Sequence, residues 1–468
     1  MRTTFLKLLL TIVVFISITG CADDYDDNPN YQSVNNFIWR GLNQYYFWLA
    51  ETPDLADNRF STETEFTNFS NAFGSPDDFF YYLTSHPDDN FSFILADYTV
   101  LEQALTGNLE TTGMEFKLYQ YNTTNVFGVV TYVLPNSDAA AQNIKRGDVF
   151  IAINGTPLTT SNYISLLQNN SYALDFAYFD GNNQLIASGI SKTVVKMPHS
   201  ENPVYLTKTI TIGNKKIGYL LYNGFYTAYE NELNQAFAYF QSENITHFIL
   251  DLRYNSGGSV ATATRLASML TGQFNNMIFA KQQWNYKMEN YFSNNPESLI
   301  NRFTTTIANG TTINSLQLHT VYVLTSQNTA SASELVINGL KPYINVVQLG
   351  DVTRGKNVGS ITLYDSPTYR KENVNPAHFY AMQPIVLKIA NAANFSDYAN
   401  GINPDVSFIE NPTQLGILGE TSDPFLATAL NYIDTNGRFS NLTKKTFFNT
   451  LQKPKTVEEQ LKNQMYVN

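Results

Sequence analysis

The chain has 468 residues, 43% of them hydrophobic and 15% charged, so it is long enough for two or three domains and too apolar for global disorder. A net charge of −11 without any long basic run argues against a nucleic-acid partner, because nothing would neutralise the phosphates. The 30 Tyr and 32 Phe residues indicate β-rich, aromatic packing.

The chain begins with the pattern of an export signal. Two basic residues precede an apolar run over 8–18 that is short for a membrane span, and small residues then lead into Cys21, the only cysteine. This pattern resembles the bacterial lipobox. It implies a signal peptide over 1–20 and lipidation of Cys21, which would anchor the protein to a membrane of the cell envelope, in the periplasm or at the cell surface. An ordinary secretory signal with a chance cysteine is the alternative. The Asp-rich residues 21–30 are expected to form an acidic tether.

Residues 31–105 have the pattern of a small, mainly helical segment. Apolar residues recur at helical spacing after Ser33, which is placed as an N-cap. The stretch 75–78, Ser-Pro-Asp-Asp, is typical of a second helix start, with a cap, a proline and acids in the first turn. Because no chemistry-bearing pattern lies here, we expect a lid, a clamp or simple packing.

Residues 106–197 are rich in strand and turn signals. An apolar run over 127–133 predicts a buried strand, and residues 146–155 combine Gly-Asp, an apolar run and Asn-Gly, the strongest short hairpin signal. This order resembles a PDZ domain, which binds peptide C-termini by adding a strand to a sheet edge. An unrelated small β-domain is the alternative. PDZ domains keep their carboxylate-binding loop where this chain has Gly113, Met114, Glu115 and Phe116.

Strands and helices alternate after a linker near residue 200, which predicts an α/β layered domain over 203–433 with a largely parallel sheet. The whole chain is therefore expected to be a multi-domain α/β protein. The stretch 272–312 is Asn- and aromatic-rich and is predicted to be irregular, as a groove wall or a surface insertion. Residues 434–468 form the predicted C-terminal tail. The predicted strands are 217–222, 247–252, 320–325 and 346–350, and the predicted helices are 230–240, 260–270 and 331–340.

Several kinds of active site leave no trace in the sequence. There is no metal-spaced Cys/His cluster, no zincin helix, no phosphate-binding Gly loop and no nucleophile elbow. The five histidines are scattered, and none follows a serine-rich turn. We therefore expect no metal and no cofactor. A Ser-His-Asp triad stays open, because triads assemble in space.

The hexapeptide 329–334, Thr-Ala-Ser-Ala-Ser-Glu, lies between a predicted strand and a predicted helix. Small residues let a substrate backbone approach, and a helix N-terminus presents free amides suited to an oxyanion. A capping box formed by Ser331 and Glu334 would account for the same residues without any chemistry.

Three further stretches favour the chemical interpretation. They are Arg-Gly-Lys-Asn-Val-Gly at 354–359, Leu-Asp-Leu-Arg-Tyr-Asn-Ser-Gly-Gly at 250–258, and Gly-Ile-Asn-Pro-Asp at 401–405. Together with the hexapeptide and the PDZ-like region, they resemble the C-terminal processing (tail-specific) peptidase family over residues 110–433. That family separates its nucleophile and its lysine by 25 positions, as Ser331 and Lys356 are separated here.

The resemblance implies a serine endopeptidase with Ser331 as nucleophile and Lys356 as general base. A lysine can act as a base only when it is neutral, which requires burial or a nearby positive helix end. By analogy with the family, the amides of Ala332 and of Gly257 or Gly258 would bind the oxyanion.

Two positions depart from the family pattern. The Gln that some members place four residues after the lysine is Ser360 here, and the Asp that others place eleven residues after the nucleophile is Pro342. Ser360 is the candidate for orienting Lys356 through a hydrogen bond. Asp251 and Arg253 are expected to form a structural ion pair at a strand end.

The predicted substrates are proteins or peptides, captured by their C-termini. The missing Gln and Asp motivate an alternative, a degenerate peptidase that binds peptides without turnover, although retention of both Ser331 and Lys356 favours an enzyme. A scaffold that uses only its PDZ-like region is a third hypothesis. The sequence does not indicate the natural substrate or the oligomeric state.

Overall fold

The structure, a computed structural model, describes residues 34–438, 448–451, 453 and 464–467. The predicted signal peptide, Cys21, the acidic tether and Ser33 lie outside the described residues. Within the described ranges, we find no helix with the length and apolar character needed to cross a membrane.

The N-terminal segment is helical, as predicted, and packs against the α/β domain. Ser75 caps one of its helices, because its hydroxyl accepts the Asp78 N–H at 3.1 Å. Apolar side chains of the segment form one core with Val358 and Ile385 of the domain that follows. Its elements are α1 (Val34–Tyr45), α2 (Glu63–Ser70), α3 (Pro76–Leu83), β1 (Phe93–Leu95) and α4 (Tyr98–Leu105).

A β-rich unit follows, and the predicted hairpin is present in it. Asn154 and Gly155 have φ values of 51° and 74°, the positive values that a two-residue type I′ turn requires. The elements of the unit are β2 (Asn108–Thr111), β3 (Met114–Gln120), β4 (Val126–Val133), α5 (Asp138–Ala141), β5 (Val149–Ile153), β6 (Thr156–Pro157), α6 (Tyr163–Leu167), β7 (Ser171–Phe179), β8 (Leu185–Val195) and β9 (Met197–Ser200).

The remaining chain forms the α/β domain and two late strands. The domain contains β10 (Val204–Ile212), β11 (Lys215–Tyr222), α7 (Glu230–Ser242), β12 (His247–Asp251), β13 (Gly258–Ser259), α8 (Val260–Thr271), β14 (Ile278–Trp284), α9 (Tyr286–Phe292), β15 (Ile300–Arg302), β16 (Thr320–Thr325), α10 (Ala332–Leu340), β17 (Asn345–Gly350), β18 (Val358–Ser360), β19 (Leu363–Tyr364), β20 (Ala381–Gln383), β21 (Ile385–Asn391), β22 (Val406–Ser407) and α11 (Pro424–Asp434). The late strands are β23 (Asn449–Leu451) and β24 (Met465–Tyr466).

The main sheet has the order β10-β11-β12-β16-β17-β22 and is parallel from β11 onward, which confirms the predicted α/β class. Helices α7, α8 and α10 pack on one face and α11 packs on the other. Both faces are therefore buried, which explains why the strands read as continuous apolar runs. The carboxyl ends of the parallel strands lie at one edge of this sheet, where Ser331 follows β16.

A second sheet, of order β13-β24-β18-β21-β14-β15, corrects the prediction for residues 272–312. That stretch is not irregular, since it supplies β14, α9 and β15, and β14 pairs with β21. A third sheet joins β23 to the β-rich unit in the order β23-β3-β4-β5-β7-β8. The late strands thus belong to two different sheets rather than to a separate tail.

Candidate active site

Ser331 lies immediately before α10 in a backbone conformation that is costly for a residue other than glycine. Its φ is 64° and its ψ is −119°. Its side chain is fully buried, and its Oγ has no hydrogen-bond partner in the part of the chain that the structure describes. Both features cost free energy, and such costs concentrate at functional sites.

Glu334 connects the two candidate catalytic residues through their backbones. Its Oε2 accepts the N–H groups of Ser331 and Lys356, each at 2.8 Å. Its Oε1 accepts the Gly355 N–H at 2.6 Å and the Thr353 hydroxyl at 2.5 Å. Ser331 and Glu334 occupy the positions of the predicted capping box, but only the Glu334 carboxylate makes a hydrogen bond in it, since the Ser331 hydroxyl has none. That hydroxyl therefore remains available for chemistry.

The amine of Lys356 is fully buried, and burial lowers its pKa from 10.5 to about 7. The negative charge of Asp89 opposes this shift, and the positive charge of Arg354 adds to it. The Nζ atom lies 4.6 Å from the centroid of the Phe91 ring and donates a hydrogen bond to Gln464 Oε1 at 3.4 Å. Because Ser331 Oγ has no partner, the serine and the lysine are not hydrogen-bonded to each other here.

The glycine pair at 257 and 258 forms a wall directly against the serine. A Cβ on Gly257 would lie 2.6 Å from the Ser331 Cβ and 2.7 Å from its Oγ, so only glycine fits. Gly257 donates its own N–H to Asn255 Oδ1 at 2.9 Å. The Phe225 N–H donates to the Gly257 carbonyl, and the Phe225 carbonyl accepts the Ser259 N–H. Because successive residues of a strand point their N–H and C=O groups to opposite sides, those of Gly258 point away from Phe225 and toward β24.

Ala332 is the first residue of α10, and its N–H is one of the four that an α-helix leaves without an internal acceptor. Together with Gly258 it offers two amides beside the serine. Gly257, the third predicted oxyanion donor, directs its N–H to Asn255 instead.

Asp251 and Arg253 form the predicted ion pair, with Arg253 Nη2 at 2.6 Å from Asp251 Oδ2 in a fully buried position. Arg253 also pairs with Asp423 at 2.8 Å. The main chain next to the pair is tied to the loop before Ser331, because the Ser326 hydroxyl donates to the Arg253 carbonyl at 2.5 Å. The ion pair thus stabilises the carboxyl end of β12 and the loop that leads to Ser331.

The hydroxyl of Ser360 donates to the Met465 carbonyl at 3.2 Å, and the Ser360 carbonyl accepts the Val467 N–H at 3.2 Å. Ser360 therefore holds the strand β24, and none of its hydrogen bonds goes to Lys356.

The residues predicted to bind a peptide carboxylate lie where β3 begins. The N–H groups of Gly113 and Met114 donate to the hydroxyls of Thr111 and Thr112, at 3.0 and 3.3 Å. Glu115 pairs with Lys453 at 2.8 Å, and Phe116 makes an edge contact with Phe150.

Phe91 and Gln464 were not found by sequence reasoning. Each lies more than one hundred positions from Lys356, and neither stands in a recognisable motif. Glu334 was found only as a capping residue, although its double contact defines the site.

Comparisons with known proteins agree with this geometry. The sequence pattern of peptidase family S41 matches residues 216–369, and that of the peptidase S41 N-terminal domain matches residues 33–93. A crystal structure of a Bacteroides fragilis protein assigned to the S41 proteases is 27% identical, with a TM-score of 0.65, and covers 86% of this chain and 97% of its own.

Two further structures are more distant. The photosystem II D1 C-terminal processing protease is 17% identical, with a TM-score of 0.49, over 82% of this chain and 93% of its own. A peptidase structure from Parabacteroides merdae is 19% identical, with a TM-score of 0.32, over 50% of this chain and 67% of its own. No curated protein matches the chain.

The site consists of a buried serine at a helix N-terminus and a Gly-Gly loop that faces it, at the edge of a parallel sheet. This arrangement defines a serine peptidase. The chain matches the sequence patterns of peptidase family S41 and of its N-terminal domain, which confirms the family resemblance seen in its sequence. Its substrates are accordingly proteins or peptides.

Proposed function

We propose that the protein is an endopeptidase of the C-terminal processing type, in which Ser331 is the nucleophile and Lys356 is the general base. The observation that carries the proposal is the buried Lys356 amine with a pKa of about 7, linked through the Glu334 carboxylate to the backbone of Ser331. An amine with this pKa is neutral in a large fraction of molecules at neutral pH and can accept a proton.

The proposed reaction has the following steps. Ser331 Oγ attacks the carbonyl carbon of the scissile peptide bond while the neutral Lys356 amine takes its proton. The carbonyl oxygen becomes an oxyanion, which the amides of Ala332 and Gly258 would stabilise. The Lys356 ammonium then returns the proton to the leaving amine, and water hydrolyses the acyl-enzyme by the same route. Losing one oxyanion donor typically raises the barrier by about 3 kcal/mol.

The β-rich unit is proposed to select substrates by their C-termini, as a PDZ-like domain. Support comes from the hairpin at Asn154-Gly155 and from the edge of β3, which accepts an added antiparallel strand in this structure. The lipobox resemblance at Cys21 supports a second proposal, that a lipid anchor holds the enzyme to a membrane of the cell envelope.

The experiment compares hydrolysis of an unfolded protein by the purified chain and by Ser331→Ala, Lys356→Met and Ser333→Ala. Ser333 is the matched control, because it is the neighbouring buried serine and its hydroxyl donates to the Asn255 carbonyl at 3.1 Å. We expect the first two variants to lose at least about 10³-fold in kcat/KM and the control to stay within about tenfold. Full activity in Ser331→Ala would reject the assignment.

A peptide-binding protein without turnover is the second candidate. The absence of a hydrogen bond between Ser331 Oγ and Lys356 favours it, as do Ser360 and Pro342 in place of the family's orienting residues. Peptide binding by the wild-type chain, without hydrolysis and without labelling by a serine-directed phosphonate, would select this candidate.

A further inference from the structure

The strand β24 lies beside the catalytic serine. It is inserted between β13 and β18, with Met465 opposite Gly258 and Tyr466 opposite both Ser259 and Ser360. In the described part of the sheet, β24 is the only link between β13 and β18. A late segment of the chain thus fills a gap between two strands of the site itself.

Gln464, just before β24, contacts the proposed general base and lies near the proposed nucleophile. Its carbonyl oxygen lies 3.0 Å from the point where a Cβ on Gly257 would be, and that point is 2.7 Å from Ser331 Oγ. Its side-chain oxygen accepts the hydrogen bond from Lys356 Nζ. The peptide bond between Gln464 and Met465 therefore lies next to the nucleophile and faces the Gly258 amide.

The segment is held in the way that peptide ligands are held when they add a strand to a sheet. On one side the Ser360 carbonyl accepts the Val467 N–H and the Ser360 hydroxyl donates to the Met465 carbonyl, and on the other side the segment pairs with β13. The Met465 side chain is fully buried among apolar residues of the main core. The Tyr466 hydroxyl donates to the Leu105 carbonyl at 3.2 Å. The groove thus offers backbone pairing and one deep apolar subsite.

The preceding part of the same segment occupies the other proposed peptide site. The strand β23 pairs antiparallel with β3, with Leu451 opposite Leu118, and Lys453 pairs with Glu115. The Leu451 side chain packs on the core of the β-rich unit. Strand addition at this edge is the mode expected for a PDZ-like ligand.

Resting on the proposed function, we propose that Gln464–Val467 occupies the substrate groove of this peptidase and blocks it. Substrates enter by displacing this strand, and they bind as extended chains with a large apolar side chain in the place of Met465. While the strand is bound, it covers Ser331 and engages the Lys356 amine. Its departure frees both groups for a substrate.

The first test measures binding and does not depend on catalysis. It uses the full chain carrying Ser331→Ala, with and without Met465→Glu, and a fluorescent peptide of sequence Gln-Met-Tyr-Val-Asn read by anisotropy. A glutamate in the apolar subsite should release the strand, so we expect at least tenfold tighter peptide binding in the Met465→Glu chain. The same peptide with Glu in place of Met should not bind.

The control is Ile417→Glu, which puts the same charge on a side chain that is 66% exposed and should bind the peptide like the parent. If Met465→Glu does not fold, as judged by thermal unfolding, Val467→Pro replaces it, because proline removes the N–H donated to Ser360. A threefold gain is expected there. Equal peptide binding by parent and variant, or binding by neither, overturns the proposal.

The second test separates this proposal from the peptidase assignment. With Ser331 intact, Met465→Glu should hydrolyse an unfolded protein at least fivefold faster than the wild-type chain, and the added peptide should reverse the gain. If neither hydrolyses but only the variant binds the peptide, the groove assignment stands and the peptidase proposal fails. If both hydrolyse equally and bind equally, the peptidase proposal stands and the groove assignment fails.

Discussion

At the scale of single residues, the decisive quantity is the charge of one lysine. A lysine in water is protonated at neutral pH, with a pKa near 10.4. Burial of Lys356 disfavours the ammonium more strongly than the carboxylates of Asp89 and Glu334 favour it, so the pKa falls to about 7. Ser331, which has a φ of 64°, is also fully buried, and the Glu334 carboxylate links its backbone to that of Lys356.

The first prediction concerns the dependence of activity on pH. Below pH 7 the Lys356 amine is protonated and cannot accept the serine proton, so kcat/KM should rise about tenfold per pH unit up to about pH 7 and then level off. Initial rates on one peptide substrate between pH 5 and 9 would show this profile. A flat profile between pH 5 and 8 would contradict the assignment of the base.

The same pKa shift predicts a cost in stability. Unfolded Lys356 keeps its ordinary pKa, so between about pH 7 and 10 the unfolded state binds more protons, and stability rises with pH through that window. Lys356→Met should therefore stabilise the fold at pH 7, by an amount on the order of a few kcal/mol. Urea unfolding at pH 7 and pH 9 measures this, with the exposed Lys341→Met as control. A variant less stable than wild type at pH 7 would show that burial of the Lys356 amine does not reduce the stability of the fold.

At the scale of elements, the site depends on a contact between a helix start and a glycine loop. The N-terminus of α10 carries Ser331, and the loop before β13 presses Gly257 against it. Neither element alone forms the candidate site, because the helix carries the proposed nucleophile and the loop carries the glycines that pack against it. The Glu334 carboxylate also accepts the Lys356 N–H, which holds the loop that carries Lys356 against the start of α10.

Gly257→Ala tests this contact. The new Cβ would collide with Ser331 and would require a φ of 121°, so we expect at least about a hundredfold loss in kcat/KM and a loss of about 1–3 kcal/mol in stability. Gly310→Ala is the matched control, with a φ of 85° and no atom within 4 Å of its Cβ, and it should cost about 1 kcal/mol without loss of activity. Equal activity in the two variants would argue against close packing at the nucleophile.

At the scale of the whole molecule, a buried ionic cluster joins the β-rich unit to the α/β domain. Glu410 accepts hydrogen bonds from Lys117 and Arg146 of the β-rich unit, at 3.2 and 2.9 Å, and from the Tyr254 hydroxyl at 2.6 Å. Arg253, next to Tyr254, lies at 3.4 Å from the same carboxylate. The Glu410 carboxylate therefore links the proposed peptide-selecting unit to the residues that follow β12.

Glu410→Gln should uncouple the two parts. Burial alone would raise the pKa of Glu410, but the charges of Lys117, Arg146 and Arg253 outweigh it and hold the pKa well below its usual range. The stabilisation is therefore present above the ordinary carboxyl pKa of about 4.3 and is lost as the pH falls below it. At pH 7 the variant should lose about 3–5 kcal/mol, because cations stay buried without their partner.

Urea unfolding at pH 7 and pH 3.5 measures the effect, and the variant should be less sensitive to acid than the wild type. Glu297→Gln is the control, since its ion pair with Arg302 is exposed and should contribute less than about 1 kcal/mol. Equal effects of the two substitutions would show that the cluster does not hold the units together.

The sequence alone determined the fold class and the resemblance to the peptidase family, and it nominated both candidate catalytic residues. It could do so because these signals are local: caps such as Ser75, the Asn154-Gly155 turn, the apolar runs of the parallel strands, and two short motifs set 25 positions apart. The strand β14 was missed because its face toward solvent carries polar residues and its pairing partner, β21, comes about a hundred positions later.

Only the tertiary structure decided what surrounds the reactive groups. Phe91, Glu410 and Gln464 reach the site or its support from distant parts of the chain, and no local pattern marks a residue whose role is to exclude water or to complete a sheet. Burial depends on how the whole chain packs. The proposed chemistry therefore requires a lowered pKa for Lys356, but only the folded structure shows the burial that lowers it. The strand beside Ser331 is likewise visible only after folding, because strand pairing ignores distance along the chain.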